Sequence, residues 1–331
     1  MYIASFSHHV SNSMMRYLGV FAAGAAVLAL AAVAVPTEQS AALVSDSHRY
    51  FTAAAYYALE AYCQPQKGQT VLGASIVAAG GDGGLTPYWY VAYQAKTNQI
   101  IVAHEGADFT KLGSLINAVE GFLIPNATDA RLAPTFDTSQ VLVASGFQAA
   151  WARSAEDVRT AVAQLKTAHK RAKIYVVGHS LGASSSTFST AFLTNIYGRD
   201  QVFGYSFAPP AIGNKQYIDD VASKLNRVAM YNGGDPTGHV QFNPIYRQTG
   251  GHVHIEPANG NSSYWCPGEA NLDSNCYYAP SHLPTYYLNI PAHAGTYFDV
   301  LIDSTSCGHI PDQIADLAAT FPPFAVDPNR R

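Results

Sequence analysis

The sequence predicts an α/β fold in which a central, mostly parallel β-sheet is flanked by helices. Two observations carry this prediction. Short apolar runs alternate with amphipathic segments along most of the chain, a pattern typical of parallel sheets covered by helices. The apolar run at 174–177 leads directly into Gly178-His179-Ser180-Leu181-Gly182, a G-x-S-x-G pentapeptide that is typical of a sharp strand-to-helix turn carrying a nucleophile.

The individual elements follow from periodicity. Segment 46–63 has apolar residues at helical spacing, and segments 88–93 and 99–104 are predicted to be paired strands. Ser154 is predicted to begin a second helix, because residues 154–157 resemble a capping box and apolar residues follow at i, i+3, i+4 and i+7. The other predicted elements are a strand at 173–177, a helix from Leu181 to about Tyr197, and buried strands at 202–207 and 228–231.

The composition narrows the function classes. Charged residues make up 13% of the 331 residues, and the formal net charge is −4. The chain has no basic stripe and no charge run, which argues against nucleic acid as a partner. Hydrophobic residues make up 48% of the chain, enough for a substantial core, so disorder is not expected.

The N-terminal segment is predicted to be a signal peptide. Arg16 precedes an apolar run that ends in Ala32-Val33-Ala34, an A-x-A cleavage signal. We therefore expect residues 1–34 to be removed, with Met14 or Met15 as alternative translation starts, and residues 35–331 to form a single domain. A retained membrane anchor is the alternative interpretation. Export would place the protein outside the cell.

The four cysteines are interpreted as disulfides because the chain is predicted to be exported. Three connectivities are open, of which we favour Cys63–Cys307 together with Cys266–Cys276. A zinc site is the alternative, but the chain has no C-x-x-C pair, and we expect no metal. Two glycosylation acceptors also fit export: Asn126 in Asn-Ala-Thr and Asn261 in Asn-Ser-Ser.

A serine nucleophile needs a base, and the base needs an orienting partner. In folds with a strand-turn-helix nucleophile, the order along the chain is Ser, Asp, His. Asp235 comes shortly after the strand at 228–231, and His293 lies on a later loop. We therefore predict a catalytic triad of Ser180, Asp235 and His293. The alternatives are a turn aspartate before Pro236 and a histidine that only begins a helix.

The other histidines are weaker candidates. His239 follows Asp235 too closely to turn back onto Ser180. His252 and His254 alternate on one strand face, but no third ligand is evident, so packing or surface roles are expected for both. His179 is expected to pack beneath the sharp turn rather than to transfer protons.

Three segments resemble the fungal class 3 lipases, a family that also holds feruloyl esterase-like members. Asn232-Gly-Gly-Asp235-Pro is similar to the segment that carries the family's aspartate, and Ile290-Pro-Ala-His293 to the segment that carries its histidine. Residues 207–214 resemble the stretch between nucleophile and acid. The resemblance covers about residues 46–307. It implies an α/β-hydrolase fold with a nucleophile elbow and a helical lid, implies ester hydrolysis without a cofactor, and supports the Cys63–Cys307 pairing.

One position departs from the family pattern. The family's first oxyanion loop carries Ser or Thr after a glycine, whereas here Gly106 is followed by Ala107. The backbone amides of Ala107 and Leu181 are still expected to form the oxyanion hole. Losing one donor there typically lowers the rate about 10²–10³-fold, and Asp108 would add a negative charge unless it points away.

The family places its lid at 109–124. Gly113 and Gly121 are the expected hinges, and an ordinary surface helix is the alternative. Five apolar residues of this segment fall on one helical face: Leu112, Leu115, Ile116, Val119 and Leu123. Six aromatic residues around the proposed Cys266–Cys276 loop would floor an acyl groove or accept a phenolic acid: Tyr264, Trp265, Tyr277, Tyr278, Tyr286 and Tyr287.

The sequence thus predicts a secreted carboxylic-ester hydrolase, foremost a triacylglycerol lipase. It is expected to act as a monomer on lipid or other esters at an interface, with peripheral contact to a membrane or lipid droplet. A feruloyl-type or short-chain esterase is the alternative among enzymes. A catalytically weak or silent lipid- or glycan-binding relative is the alternative from another class.

Overall fold

A computed structural model describes residues 39–42, 45–108, 110–132, 140–238, 243–248, 251–260, 262–268, 272–279 and 289–308. The signal peptide predicted at 1–34 lies outside these residues, as do His239, Asn261, Tyr286 and Tyr287. Among the helices in this part of the chain, none is long and apolar enough to cross a membrane.

A ten-stranded sheet forms the centre of the described fold, with the order β1-β12-β11-β10-β9-β8-β5-β4-β3-β2. The five neighbouring strands β11, β10, β9, β8 and β5 are parallel, and antiparallel strands extend both edges. The predicted α/β class is confirmed. The strands are β1 (Ala41–Ala42), β2 (Thr70–Val71), β3 (Ala74–Gly80), β4 (Trp89–Gln94), β5 (Gln99–His104), β6 (Pro125–Ala127), β7 (Leu142–Ala144), β8 (Lys173–His179), β9 (Val202–Phe207), β10 (Arg227–Asn232), β11 (His252–Ile255), β12 (Ser263–Cys266), β13 (Thr296–Tyr297) and β14 (Val300–Leu301).

Helices cover both faces of this sheet. In β8, Tyr175 and Val177 pack in the cluster that contains the first helix, whereas Ile174 and Val176 pack with α4 and α5 on the other face. Burial on both faces explains why the parallel strands are continuously apolar in sequence. The helices are α1 (Ser45–Glu60), α2 (Leu112–Leu123), α3 (Ser145–Ala152), α4 (Ala155–Ala168), α5 (Leu181–Tyr197), α6 (Lys215–Asp220) and α7 (Ile290–His293).

The predicted bounds of β5, α5 and β9 agree with the structure, but the predicted capping box at Ser154 is wrong. Ser154 precedes α4 without making a side-chain cap bond. Its hydroxyl instead donates to the carbonyl oxygen of Trp151, 3.2 Å away. The reason is that α3 ends only two residues earlier, so the serine closes the preceding helix.

Two disulfides join distant and local segments. Cys63, just after α1, is bonded to Cys307, 244 residues later, and Cys266 is bonded to Cys276. The first bond connects the helix on one face of the sheet to the segment that follows His293.

Replacing both Cys63 and Cys307 with alanine should lower the free energy of unfolding by about 2–5 kcal/mol, because the bond closes a long loop in the unfolded chain. Urea denaturation would measure the loss. The matched control is the Cys266→Ala/Cys276→Ala variant. Its two cysteines are only 10 residues apart, so it should lose about 3 kcal/mol less in the chain-entropy model. An equal or greater loss in the control would contradict this expectation.

Candidate active site

Ser180 lies in the sharp turn between β8 and α5. Its φ angle is +59°, a left-handed conformation that is uncommon for residues other than glycine and that stores strain at functional sites. The Ser180 amide donates to the Phe207 carbonyl oxygen at the end of β9, 2.9 Å away. The turn is therefore held by the neighbouring strand and presents the serine side chain at the carboxyl edge of the parallel sheet.

The two glycines of the pentapeptide permit close backbone contacts. A Cβ atom on Gly178 would lie 2.1 Å from the carbonyl oxygen of Gly182, and one on Gly182 would lie 2.3 Å from that of His104. Any side chain at either position would force the strand and helix apart. The N-terminus of α5 consequently sits against the end of β5, where the loop with Gly106 and Ala107 begins.

The structure brings the three predicted triad residues together. Ser180 Oγ lies 2.9 Å from His293 Nε2, and His293 Nδ1 lies 3.1 Å from Asp235 Oδ1 and 3.2 Å from Oδ2. A carboxylate only accepts hydrogen bonds, so Nδ1 donates to Asp235 and Nε2 accepts from the serine hydroxyl. This arrangement can remove a proton from Ser180 during attack on a carbonyl carbon.

Asp235 is fully buried and richly hydrogen bonded. Thr237 donates to Oδ1 from its amide at 2.9 Å and from its hydroxyl at 2.6 Å, and Tyr297 donates to Oδ2 at 3.0 Å. Burial alone would raise the pKa of Asp235, but the adjacent His293 and these donors outweigh it and hold the pKa well below its ordinary value. The carboxylate therefore stays ionised beside the imidazole.

Asn232 holds the histidine segment in place. This residue ends β10 and is fully buried; its Nδ2 donates to the Ala292 carbonyl oxygen at 2.9 Å, and its Oδ1 accepts from the Asn259 amide at 2.7 Å. Asn259 in turn accepts from the Thr296 amide. Asn232 stands inside the sequence motif of Asp235 without an assigned role, and the sequence analysis missed Thr237, Asn259 and Tyr297.

The two predicted oxyanion residues lie on adjacent segments. Leu181 begins α5 directly after the nucleophile, and Ala107 packs partly buried in the same apolar cluster as Leu181. Asp108, which raised concern as a nearby charge, accepts from the amide and hydroxyl of Thr110 and lies 3.6 Å from Lys111 Nζ. These contacts lower the pKa of Asp108. Its negative charge is therefore paired with Thr110 and Lys111, the residues just before α2.

Glu105 is a buried acid next to this loop. Its Oε2 accepts from the Tyr88 amide at 2.7 Å, yet burial raises the pKa of its carboxyl group to about 7. Between about pH 4.5 and pH 7, the folded protein therefore keeps a proton on Glu105 that the unfolded chain has already lost. The free energy of unfolding is highest with respect to Glu105 at low pH, and it falls as the pH rises through 7.

We expect Glu105→Gln to flatten this pH dependence. From pH 4.5 to pH 8, the wild type should lose about 1–3 kcal/mol more unfolding free energy than the variant. Urea denaturation at both pH values gives the comparison. Burial also raises the pKa of Glu60 to about 7, so the test uses the difference in unfolding free energy between the wild type and Glu105→Gln. If the unfolding free energies of the two proteins change in parallel with pH, the assignment to Glu105 is refuted.

The other predicted features have mostly structural roles. His252 and His254 are buried, and His254 contacts the carbonyl oxygens of Asn275 and Gly233. His252 lies within 4.8 Å of the sulfur atoms of Cys266 and Cys276, but a disulfide lacks the thiolates that a metal requires. His179 is also buried, as expected.

The proposed aromatic floor is only partly available to a substrate. Tyr277 is fully buried and stacks on Tyr231 with ring centroids 4.2 Å apart, and its hydroxyl donates to the Asp235 carbonyl oxygen. Trp265 is buried as well. The expectation that these two rings line an acyl groove or a phenolic-acid site is therefore wrong, because both pack inside the fold.

Helix α2 occupies the predicted lid segment. It packs with Ser114, Asn117 and Ala118 buried, while Ile116 and Leu123 are 40% and 51% exposed. Asn117 Nδ2 donates to the Leu85 carbonyl oxygen at 2.9 Å. The side chains of Leu112, Leu115 and Val119 lie outside the described part of the structure.

The two expected hinge glycines have another role. A Cβ atom on Gly113 would lie 2.5 Å from the Leu85 amide nitrogen, and one on Gly121 would lie 2.3 Å from the Phe147 ring. At both glycines, α2 packs closely against neighbouring segments, so neither position has the free space that the predicted hinges would need.

Part of this sequence is similar to a known protein family and to named relatives. Residues 114–244 match the family described as Lipase (class 3), a span that includes Ser180 and Asp235. The chain is 30% identical over 185 residues to secreted mono- and diacylglycerol lipase 3 of Gibberella zeae, covering 55% of this chain and 57% of the relative. It is 27% identical over 262 residues to secreted mono- and diacylglycerol lipase MDL2 of Malassezia globosa, covering 77% and 83%. The family match spans 131 of the 331 residues, so this part of the chain is similar to class 3 lipases.

Solved structures support the fold. A triacylglycerol lipase from Penicillium expansum superposes with a TM-score of 0.65 at 19% identity, covering 82% of this chain and all of that one. A fungal lipase in an inhibitor complex gives a TM-score of 0.67 at 17% identity, covering 80% and 98%. At these identities the likeness concerns the fold, which is that of the α/β-hydrolases. The match to the Gibberella zeae relative spans little more than half of that protein's length.

Proposed function

We propose that this chain is a class 3 lipase, a secreted serine ester hydrolase that cleaves acylglycerols, with mono- and diacylglycerols as its main substrates. Ser180 attacks the ester carbonyl, His293 takes its proton and gives it to the leaving alcohol, and Asp235 orients and stabilises His293. The amides of Ala107 and Leu181 hold the negatively charged oxygen. Water then attacks the acyl-enzyme with His293 as base and releases the fatty acid.

The observation that carries this proposal is the continuous row of hydrogen bonds from Ser180 Oγ through His293 to the buried Asp235. Each bond has the direction that proton transfer from the serine requires. Carboxylates with shifted pKa values beside a histidine are concentrated at catalytic sites, which favours an enzyme over a silent binding relative.

The substrate class rests on the named relatives and on one surface. Both curated relatives described above are secreted mono- and diacylglycerol lipases. Leu85, Ile116, Leu123 and Ile124 are each 40–52% exposed on α2 and the loop bonded to it. Such an exposed apolar surface suits contact with a lipid interface. The burial of Tyr277 and Trp265 removes the main argument for a phenolic-acid esterase.

Graded substrates test the proposal. We expect monoolein and diolein to be hydrolysed faster than triolein, p-nitrophenyl esters to be cleaved across chain lengths, and methyl ferulate to be left intact. Faster cleavage of triolein would favour the triacylglycerol lipase that the sequence predicts. Binding of lipid without turnover, unchanged in Ser180→Ala, would indicate a silent relative.

Export and domain organisation are part of the same proposal. Cleavage after Ala34 would leave one domain at 35–331, acting as a monomer, with a glycan at Asn126, which is exposed in β6. N-terminal sequencing and mass spectrometry of the protein from culture medium, before and after deglycosylation, test both modifications.

The missing oxyanion hydroxyl leads to a further prediction. We expect Ala107→Thr to raise kcat by up to about 10²-fold, because each preorganised donor at such a site contributes about 10²–10³-fold. Ala107→Val is the matched control, since it has nearly the same shape without a hydroxyl and should not raise kcat. An equal kcat in both variants would mean that the hydroxyl does not limit the reaction.

A further inference from the structure

A row of contacts outside the triad joins the oxyanion loop to the main chain of His293. Gly106 packs so closely against the Tyr62 hydroxyl that a Cβ atom at this position would overlap the oxygen. Tyr62 Oη lies 2.8 Å from His179 Nδ1, and His179 Nε2 lies 2.9 Å from the His293 carbonyl oxygen. Three segments that are distant in sequence therefore meet at one buried imidazole.

The chemistry of the partners determines the direction of every bond in this row. A carbonyl oxygen only accepts, so His179 Nε2 carries a hydrogen. Burial, together with the neighbouring His293, lowers the pKa of His179 to about 3, so the ring is neutral at pH 7 and Nδ1 has no hydrogen. The Tyr62 hydroxyl must then donate to Nδ1.

We propose that Tyr62 and His179 form a positioning relay that holds the main chain of the base His293 at a fixed distance from the oxyanion loop. The proposal rests on the proposed function, since it takes His293 as the base and Ala107, the neighbour of Gly106, as an oxyanion donor. Displacements of about 1 Å at a reacting centre can cost about 10²-fold in rate. His179 acts through His293 and does not touch the reacting atoms.

Within the described part of the chain, one other side chain approaches the His293 carbonyl oxygen. Tyr297 Oη is 3.2 Å from the same carbonyl oxygen, but it is also 3.0 Å from Asp235 Oδ2. Tyr297 has one hydroxyl hydrogen, and the ionised carboxylate is the stronger acceptor. Among the described residues, His179 is therefore the side chain that donates to the His293 main chain.

Two isosteric variants separate the two ends of the relay. In His179→Asn the amide oxygen falls near the position of Nδ1, so the bond from Tyr62 survives and the bond to His293 is lost. In His179→Gln the amide nitrogen falls near the position of Nε2, so the opposite bond survives. We expect kcat to fall about 10–100-fold in His179→Asn and about 3–10-fold in His179→Gln, with KM within about twofold in both.

Tyr62→Phe should lower kcat as much as His179→Gln does, because both remove the bond between Tyr62 and His179. The Tyr62→Phe/His179→Gln double variant should have a kcat no lower than that of either single variant. Tyr90→Phe is the matched control. Tyr90 is equally a buried tyrosine, and its hydroxyl donates to the Tyr57 carbonyl oxygen of α1 without a link to the site. It should lower the thermal midpoint but leave kcat unchanged.

Turnover is measured per active site, by titration with a fluorescent phosphonate, on a soluble p-nitrophenyl ester. If His179→Asn lowers only the thermal midpoint and its kcat stays within about twofold of the wild type, the relay is refuted. A second measurement does not depend on activity. Nitrogen NMR of the histidine rings should show His179 as the neutral tautomer with hydrogen on Nε2 from pH 5 to pH 8. Titration in that range, or hydrogen on Nδ1, would also overturn the proposal, whereas a wild type without esterase activity would overturn the proposed function instead.

Discussion

Replacing Ser180 with alanine should lower kcat by about 10⁴–10⁶-fold on every ester that the wild type cleaves. The hydroxyl that lies 2.9 Å from His293 Nε2 is the proposed nucleophile, and no acyl-enzyme can form without it. Alanine keeps the Cβ atom of serine, so the strained turn and the fold should persist. Hydrolysis of p-nitrophenyl butyrate, followed spectrophotometrically, measures the loss.

Ser184→Ala is the matched control for this variant. Ser184 lies one turn later on α5 and is fully buried, and its Oγ makes no hydrogen bond to any described residue. Its removal should leave kcat within about twofold of the wild type, since it deletes a hydroxyl of the same helix without touching the triad. If Ser180→Ala retained a tenth or more of the wild-type kcat, about 10³-fold above the expected upper limit of residual activity, the nucleophile would have to be sought elsewhere.

The second largest effect is expected for Asp235→Asn, which should lower kcat about 10⁴-fold. The carboxylate accepts from His293 Nδ1, and an amide nitrogen in its place would favour the tautomer with hydrogen on Nε2. That tautomer cannot take the proton of Ser180. The KM for soluble esters should change little, because Asp235 is fully buried behind the histidine.

Steady-state kinetics at several pH values would measure this effect. Asp219→Asn serves as a control, because Asp219 is an exposed aspartate that pairs with Lys215 on α6, away from the site. A loss below about tenfold in Asp235→Asn would contradict the role of Asp235 as orienting acid.

The sequence was most informative where one local pattern allows few structures. Gly178 and Gly182 predict the strand-turn-helix because only glycine tolerates backbone contacts as close as those described above. The order of Ser180, Asp235 and His293 predicts that they meet, since parallel strands end at one edge of the sheet. The bounds of β5 and β9 were predictable because each is an unbroken run of six buried residues.

The errors share a cause, which is that a local pattern does not reveal tertiary partners. Ser154 has the sequence of a helix cap, but α3 ends so close to it that its hydroxyl bonds backwards. Tyr277 is an aromatic residue of the kind that often lines binding sites, yet it stacks on Tyr231 and its hydroxyl donates to the Asp235 carbonyl oxygen. Tyr62 carried no signal, because its partner His179 comes from another part of the chain, whereas Thr237 was missed although it lies only two residues after Asp235.

The position of Tyr62 directly before Cys63 has a consequence for how the protein matures. The disulfide between Cys63 and Cys307 restrains Tyr62, the first residue of the proposed relay. Formation of this disulfide should therefore raise kcat as well as the resistance to unfolding. Newly made chains in a reducing cell interior would then be poor catalysts, and full activity would arise only during passage through the export route.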